Sequence, residues 1–206
     1  PIVSTEWLQA HLTDPQVRVI CTGTRDDYDR AHIPGARFVD HMDTVGGDHR
    51  LLPPDALAKA LAKAGAADGT RIVLYGDRPM ERGWLYMTLA AIGHSGDVSM
   101  LDGGIRLWQD EKRPISNTAP AAVAGPLTVK PAPDVVVDAP WVRKRLESPT
   151  TKVLDVRTTQ EWNGGHLPGA TLILWQDLYA DRQTLKFKSP AEIRALLAAA
   201  GVAPNQ

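Results

Sequence analysis

Residues 21–36 read CTGTRDDYDRAHIPGA, and residues 155–170 read DVRTTQEWNGGHLPGA. Both stretches close on His-x-Pro-Gly-Ala. His32 and His166 stand 134 positions apart, as do Cys21 and Asp155. The register holds upstream as well, where STEWL at residues 4–8 answers DAPWV at residues 138–142. Solenoid repeats run about 20–50 residues, so a period this long marks a duplicated domain.

Outward from the cassette, the first copy alternates strands and helices. Ser4 or Thr5 caps a short helix carrying Trp7, Leu8 and Leu12. Residues 17–21 (VRVIC) form a strand, 26–30 one polar helical turn, and 36–39 a second short strand behind the His-x-Pro-Gly corner. Residues 55–65 form an amphipathic helix stopped by Gly65, and the apolar run 71–75 (RIVLY) reads as a strand buried on both faces. A helix over 84–92, a strand over 98–101 and a helical turn over 105–110 complete the copy. Such alternation predicts an α/β fold with a parallel sheet flanked by crossover helices. Residues 117–134, rich in Ala and Pro, read as a linker between a domain at 1–116 and a second copy at 135–206. That copy offers a helix over 138–146, a strand over 152–156, its own corner, and a helix over 190–200 with Gly201 as stop.

Composition excludes several function classes. The 206 residues are 43% hydrophobic and 23% charged, ordinary for a globular protein. A formal net charge of −1 gives no footing for nucleic acid or an acidic membrane as partner. No apolar run approaches the roughly 18 residues of a membrane-spanning helix. One cysteine, Cys21, cannot build a disulfide framework. The chain begins at Pro1, so the expectation is that an initiator methionine or an export signal has been removed. Cytoplasmic and periplasmic or exported locations both stay open.

These residues carry a family resemblance. The STEWL segment, the strand end LDVR at 154–157, the GHLPGA motif at 165–170 with its partner at His32, and LDGG at 101–104 followed by Trp108 resemble a tandem-domain rhodanese, the thiosulfate or 3-mercaptopyruvate sulfurtransferase type. The resemblance implies two rhodanese-like domains, an inert first copy, and a second copy whose cysteine stands on the loop after its central strand. It also implies a small-molecule sulfur donor and an acceptor such as cyanide as partners, with neither metal nor organic cofactor. The chemistry suits that placement. A strand turning sharply into a helix aims several backbone N–H groups at one point, which lowers a thiol's pKa and stabilises the persulfide anion formed there.

The two copies act as a ruler. In the first, Tyr75 ends the strand and the loop GDRPMERGW follows, with Gly76 or Asp77 where a nucleophile would stand. Gly65 and Gly201 are 136 positions apart, so the counterpart of Gly76 falls near about position 212. The expectation is therefore a second domain incomplete within this chain. Its remainder would be a continuation past Gln206 or a complementary fragment as a separate chain. An alternative is a rhodanese-type binding or regulatory module with both copies inactive.

Within the chain, the candidate substrate-binding residues are Arg157, Glu161 and Trp162. Arg157 sits at the ligand-binding edge of its strand, where its planar fork could grip thiosulfate or a mercaptopyruvate carboxylate. An internal salt bridge with Asp155 or Glu161 is the competing role. Asp155 is read as structural, accepting backbone or hydroxyl hydrogen bonds at the strand end, and His166 likewise, because the His-x-Pro-Gly corner recurs in the copy without a nucleophile. Arg78 and Arg82 are placed on the first-copy loop as weaker anion-binding candidates. Cys21 is read as a buried, inert thiol.

Overall fold

A computed structural model describes residues 2–94, 96–121 and 125–203. It divides into two compact units, Pro1–Val136 and Val137–Gln206.

In the first unit the order is β1 (Ile2–Val3), α1 (Thr5–Ala10), β2 (Val17–Cys21), α2 (Arg25–Arg30), β3 (Arg37–Phe38), α3 (Pro54–Lys63), β4 (Arg71–Tyr75), α4 (Pro79–Ala91), β5 (Val98–Leu101) and α5 (Gly104–Asp110). The strands form one five-stranded sheet in the order β1-β5-β4-β2-β3, every pairing parallel. Alternate residues of β4 point to opposite faces, and both faces are covered. Ile72 and Leu74 join Ile20, Leu57, Leu61, Leu85 and Leu89 on one side. Val73 and Tyr75 join Leu8, Tyr28, Ile33, Leu101 and Trp108 on the other. That two-sided burial is why the RIVLY run carries no polar alternation.

Helix starts follow local chemistry. Ser4 accepts from the Trp7 N–H and Thr24 from the Asp27 N–H, while Pro79 sits in the first turn of α4. The proline starts α4 five residues before the helix expected from Trp84, so the expected nine-residue loop shrinks to Gly76-Asp77-Arg78. As a result Arg82 is not on the loop. It lies within α4, fully buried.

Residues 125–132 run along the first unit. Thr128 donates its N–H and hydroxyl to the two Asp68 carboxylate oxygens, at 2.8 and 2.6 Å. The Lys130 and Ala132 N–H groups donate to the Ile92 and Ala91 carbonyls, and Leu127 and Val129 pack on the core.

The second unit repeats the opening of the first with α6 (Ala139–Arg143), β6 (Leu154–Asp155), α7 (Thr159–Asn163), β7 (Thr171–Leu172), a hairpin of β8 (Tyr179–Asp181) and β9 (Lys186–Phe187), and α8 (Pro190–Ala199). Leu154 pairs with Thr171 and Asp155 with Leu172 in parallel, the same register as Ile20 with Arg37 and Cys21 with Phe38. The positive-φ glycines that close the corner and the long helix also recur: Gly35 with Gly169, and Gly65 with Gly201. The hairpin was not expected. Its pairing of Tyr179 with Phe187 answers the isolated bridge of Val45 with Leu51, so the two-residue growth of the period lies in the hairpin turn.

Candidate functional site

The second-copy corner is built from β6, the α7 turn and the His-x-Pro-Gly bend. Thr158 caps α7 and forms a reciprocal box with Glu161: the Glu161 N–H reaches the Thr158 hydroxyl, and Glu161 Oε2 accepts from the Thr158 N–H at 2.9 Å and hydroxyl at 2.7 Å. Those hydrogen bonds hold the Glu161 carboxyl below its ordinary pKa. Four residues on, the Trp162 indole lies flat on the His166 imidazole, and His166 Nδ1 lies 3.1 Å from the Trp162 carbonyl oxygen. Trp162 and Glu161 thereby shape the turn. They are not among the residues that line the adjoining groove.

Arg157 crosses the mouth of the corner. Its Nε and Nη2 donate to the two Asp155 oxygens, the shortest at 2.6 Å, and Nη2 also donates to the Gly165 carbonyl at 2.9 Å. Asp155 accepts the Arg157 backbone N–H in addition. Hydrogen bonding to Arg157 holds the Asp155 carboxyl below its ordinary range and pushes the guanidinium up. The internal ion pair of Arg157 with Asp155 is formed. Both residues remain at the site, because Asp155, Arg157 and His166, with Val153, Val156 and Leu167, line a groove of about 670 Å³. Among the described residues, no strand pairs with the far edge of β6. Val156 and Leu167 are 51% and 47% exposed, whereas their first-copy counterparts Thr22 and Ile33 are 2% and 0% exposed.

The first copy shows what packs there when the sheet is extended. The Thr22 N–H donates to the Tyr75 carbonyl, and the Tyr75 hydroxyl accepts the Ile33 N–H at 3.1 Å. At the carboxyl edge, Gly76 holds φ at +156°, and a Cβ built on it would lie 2.3 Å from the Thr22 carbonyl oxygen. No side chain fits at that position. The hollow bounded by Cys21, Thr22, Gly76 and Arg78 holds about 40 Å³, room for about one water. Arg78 is spent on Glu81, with Nη1 to Oε1 at 3.1 Å. Burial pushes the Cys21 thiol up to about 12, far from the range of a nucleophilic thiolate.

The sequence reading passed over Glu81, whose burial at the start of α4 follows from Pro79 setting that start. Pro79 was the available signal. Among the described residues, no three His, Cys, Asp or Glu side chains are grouped to hold a metal.

Comparison with known proteins agrees with this architecture. A family model described as the rhodanese-like domain matches residues 4–111 and 138–199, one segment in each unit. The sulfur carrier protein TtuD of Thermus thermophilus is 31% identical, across all of this chain and 79% of its own length. A thiosulfate sulfurtransferase of Azotobacter vinelandii is 27% identical, also across all of this chain and 79% of its own length. In fold, the crystal structure of SseA from Escherichia coli, described with the rhodanese fold of 3-mercaptopyruvate sulfotransferases, superposes with a TM-score of 0.86 at 24% identity, covering 98% of this chain and 84% of that one. Two matched segments, a shared parallel sheet and relatives that span the whole chain lead to one assignment: this chain belongs to the rhodanese-like domain family.

Proposed function

We propose that the protein is a sulfurtransferase that moves sulfane sulfur from thiosulfate, or from 3-mercaptopyruvate, to a thiophilic acceptor such as cyanide. The observation that carries this reading is the whole-chain similarity to a sulfur carrier protein and a thiosulfate sulfurtransferase. The reacting group is a cysteine thiolate on the second copy's counterpart of the 76–78 loop, near about position 212 by the repeat period. It lies past Gln206, in a continuation of the chain or in a complementary fragment. The thiolate attacks the outer sulfur of thiosulfate. A new S–S bond forms, the old one breaks, and sulfite leaves with the electron pair. Cyanide then attacks the terminal persulfide sulfur, giving thiocyanate and returning the thiolate. With 3-mercaptopyruvate the carbon–sulfur bond breaks instead, and the carbon takes the thiol proton to give pyruvate.

In this reading Asp155, Arg157, Glu161, Trp162 and His166 position the corner beside that loop, and Arg157 stiffens it through Asp155 and the Gly165 carbonyl. The first copy is inert, because neither Gly76 nor Asp77 supplies a thiol. Thiocyanate production from thiosulfate and cyanide, together with a mass gain of one sulfur atom on the intact protein, tests the proposal. An intact protein that gains no sulfur atom from either donor leaves the second reading, a catalytically inactive binding module. The burial of Cys21, the one thiol in this chain, favours that second reading for the chain alone.

A further inference from the structure

Beside the start of α4, on the first unit, lies a hollow of about 640 Å³. Met42, Val45, Pro79, Met80 and Trp84 supply its apolar walls, and His41, His49, Asp77, Arg78 and Glu81 its polar ones. Met80 and Met42 are 75% and 52% exposed, a large apolar area left to water. Glu81 also lines the hollow and is only 8% exposed. Its Oε1 accepts from Arg78, but its Oε2 is buried with no hydrogen-bond partner among the described residues. His41 Nδ1, 3.8 Å from Glu81 Oε1, is likewise buried without a hydrogen-bond partner. A buried carboxylate oxygen with no donor is costly, and native structures rarely leave one without a reason.

We propose that this hollow binds a small organic cation: an ammonium head carried on an apolar, ring-sized body. Charge complementarity selects the head. The orphaned atom is an acceptor, so an anion would meet repulsion and an N–H donor would supply the missing partner. Glu81 lines the hollow, so its carboxyl is the group the ammonium head would meet. Asp77 also lines the hollow but is paired with Arg106 at 3.6 Å, and Arg78, 59% exposed, is paired with Glu81, so the unpartnered Glu81 oxygen is the acceptor that distinguishes the site. The body is selected by the methionines, proline and indole, since a water would satisfy Oε2 without covering Met42 and Met80. The volume falls within the range of pockets that enclose small organic ligands. This site is separate from the sulfur-transfer corner and stands whether or not that chemistry is found.

The test is calorimetric titration of the full chain with three probes of one shape and different charge: tryptamine, its neutral alcohol counterpart tryptophol, and the anion indole-3-propionate. Tryptamine should bind about tenfold or more tightly than either of the others, the discrimination expected of a charge-assisted hydrogen bond. Glu81→Gln should abolish that preference. Met80→Lys changes an exposed side chain that the fold does not need and places a cation on the wall. It should weaken tryptamine while sparing tryptophol, and it decides the matter if Glu81→Gln melts early. Equal affinity for the three probes, no binding of any, or a tryptamine preference that survives both substitutions overturns the proposal.

Discussion

The Trp162 indole and the His166 imidazole are stacked with ring centres 3.5 Å apart and planes within 3°. Tyr28 and His32, 134 positions earlier, are stacked at 4.1 Å and 9°. In each pair the histidine Nδ1 also lies within hydrogen-bond distance of the aromatic residue's carbonyl oxygen. One geometry serves both copies, so in each the imidazole shapes the turn. His32 is fully buried, with Nδ1 at the Tyr28 carbonyl and Nε2 3.2 Å from the Thr118 carbonyl. His32→Ala should therefore cost about 2–4 kcal/mol, while the exposed His166 should cost under about 1 kcal/mol on the same change. Denaturant unfolding of the full chain reads both values. A larger loss at His166 than at His32 would contradict the packing account.

Gly76 yields a test of the proposal that the first copy is inert. A Cβ there meets the Thr22 carbonyl oxygen at 2.3 Å, and the backbone is in a region that side chains avoid. Gly76→Ala should destabilise the first unit by about 2 kcal/mol or more, and Gly76→Cys should fold no better. Neither variant should gain sulfur from thiosulfate through the first unit. A stable Gly76→Cys protein that forms a persulfide on that residue would show that the loop can be rebuilt.

Much of this was legible beforehand, for a physical reason. The corner, the 17–21 and 71–75 strands and the Gly65 stop each depend on residues adjacent in sequence, so their patterns survive reading in isolation. The start of α4 was missed because Glu81 and Arg82 are charged yet buried, which hides the apolar period that would mark a helix. β1 is two residues long and exists only by pairing with β5, a contact about 100 positions away. The segment read as a linker has a linker's composition. What holds it is Asp68, 60 positions from Thr128, and no local pattern announces that. At the site, the residue types around Arg157 allowed either an ion pair or a free anion-binding fork, and the ion pair shows only in the distances to Asp155 and Gly165.

Cys21 links burial to pH. Its thiol, ordinarily at 9.0, is pushed up to about 12 mainly by desolvation, against a lowering hydrogen bond from Tyr75. Unfolding releases it to ionise near its ordinary value, so above pH 9 the unfolded state binds fewer protons than the native state. Stability of the first unit should then fall as pH rises from 9 towards 12, by about 1 kcal/mol per pH unit from this group. Tyr75, whose hydroxyl burial also raises well above its ordinary value, adds to the loss above pH 10. Cys21→Ala should remove the part of the slope that begins near pH 9 and leave the part due to Tyr75. Native protein at pH 8 should resist a thiol-specific reagent that labels the unfolded chain at once. Rapid labelling of the native state would remove the basis for calling this thiol inert.

The boundary between the units is open to a direct experiment. Residues 125–132 are fastened to the first unit by the Asp68 clamp on Thr128 and by the Lys130 and Ala132 hydrogen bonds, and Leu127 and Val129 cover its core. A fragment of residues 1–136 should unfold in one cooperative step. A fragment of residues 1–116 should be less stable by about 2–4 kcal/mol, the contribution of two partly buried aliphatic side chains with their accompanying hydrogen bonds. Thr128→Val in the longer fragment separates the two contributions, because it removes the hydroxyl bond to Asp68 and keeps the apolar cover. It should cost about 1 kcal/mol. Equal stability of the 1–116 and 1–136 fragments would mean that the strap lies on the surface without holding it, and the boundary would then move back towards residue 116.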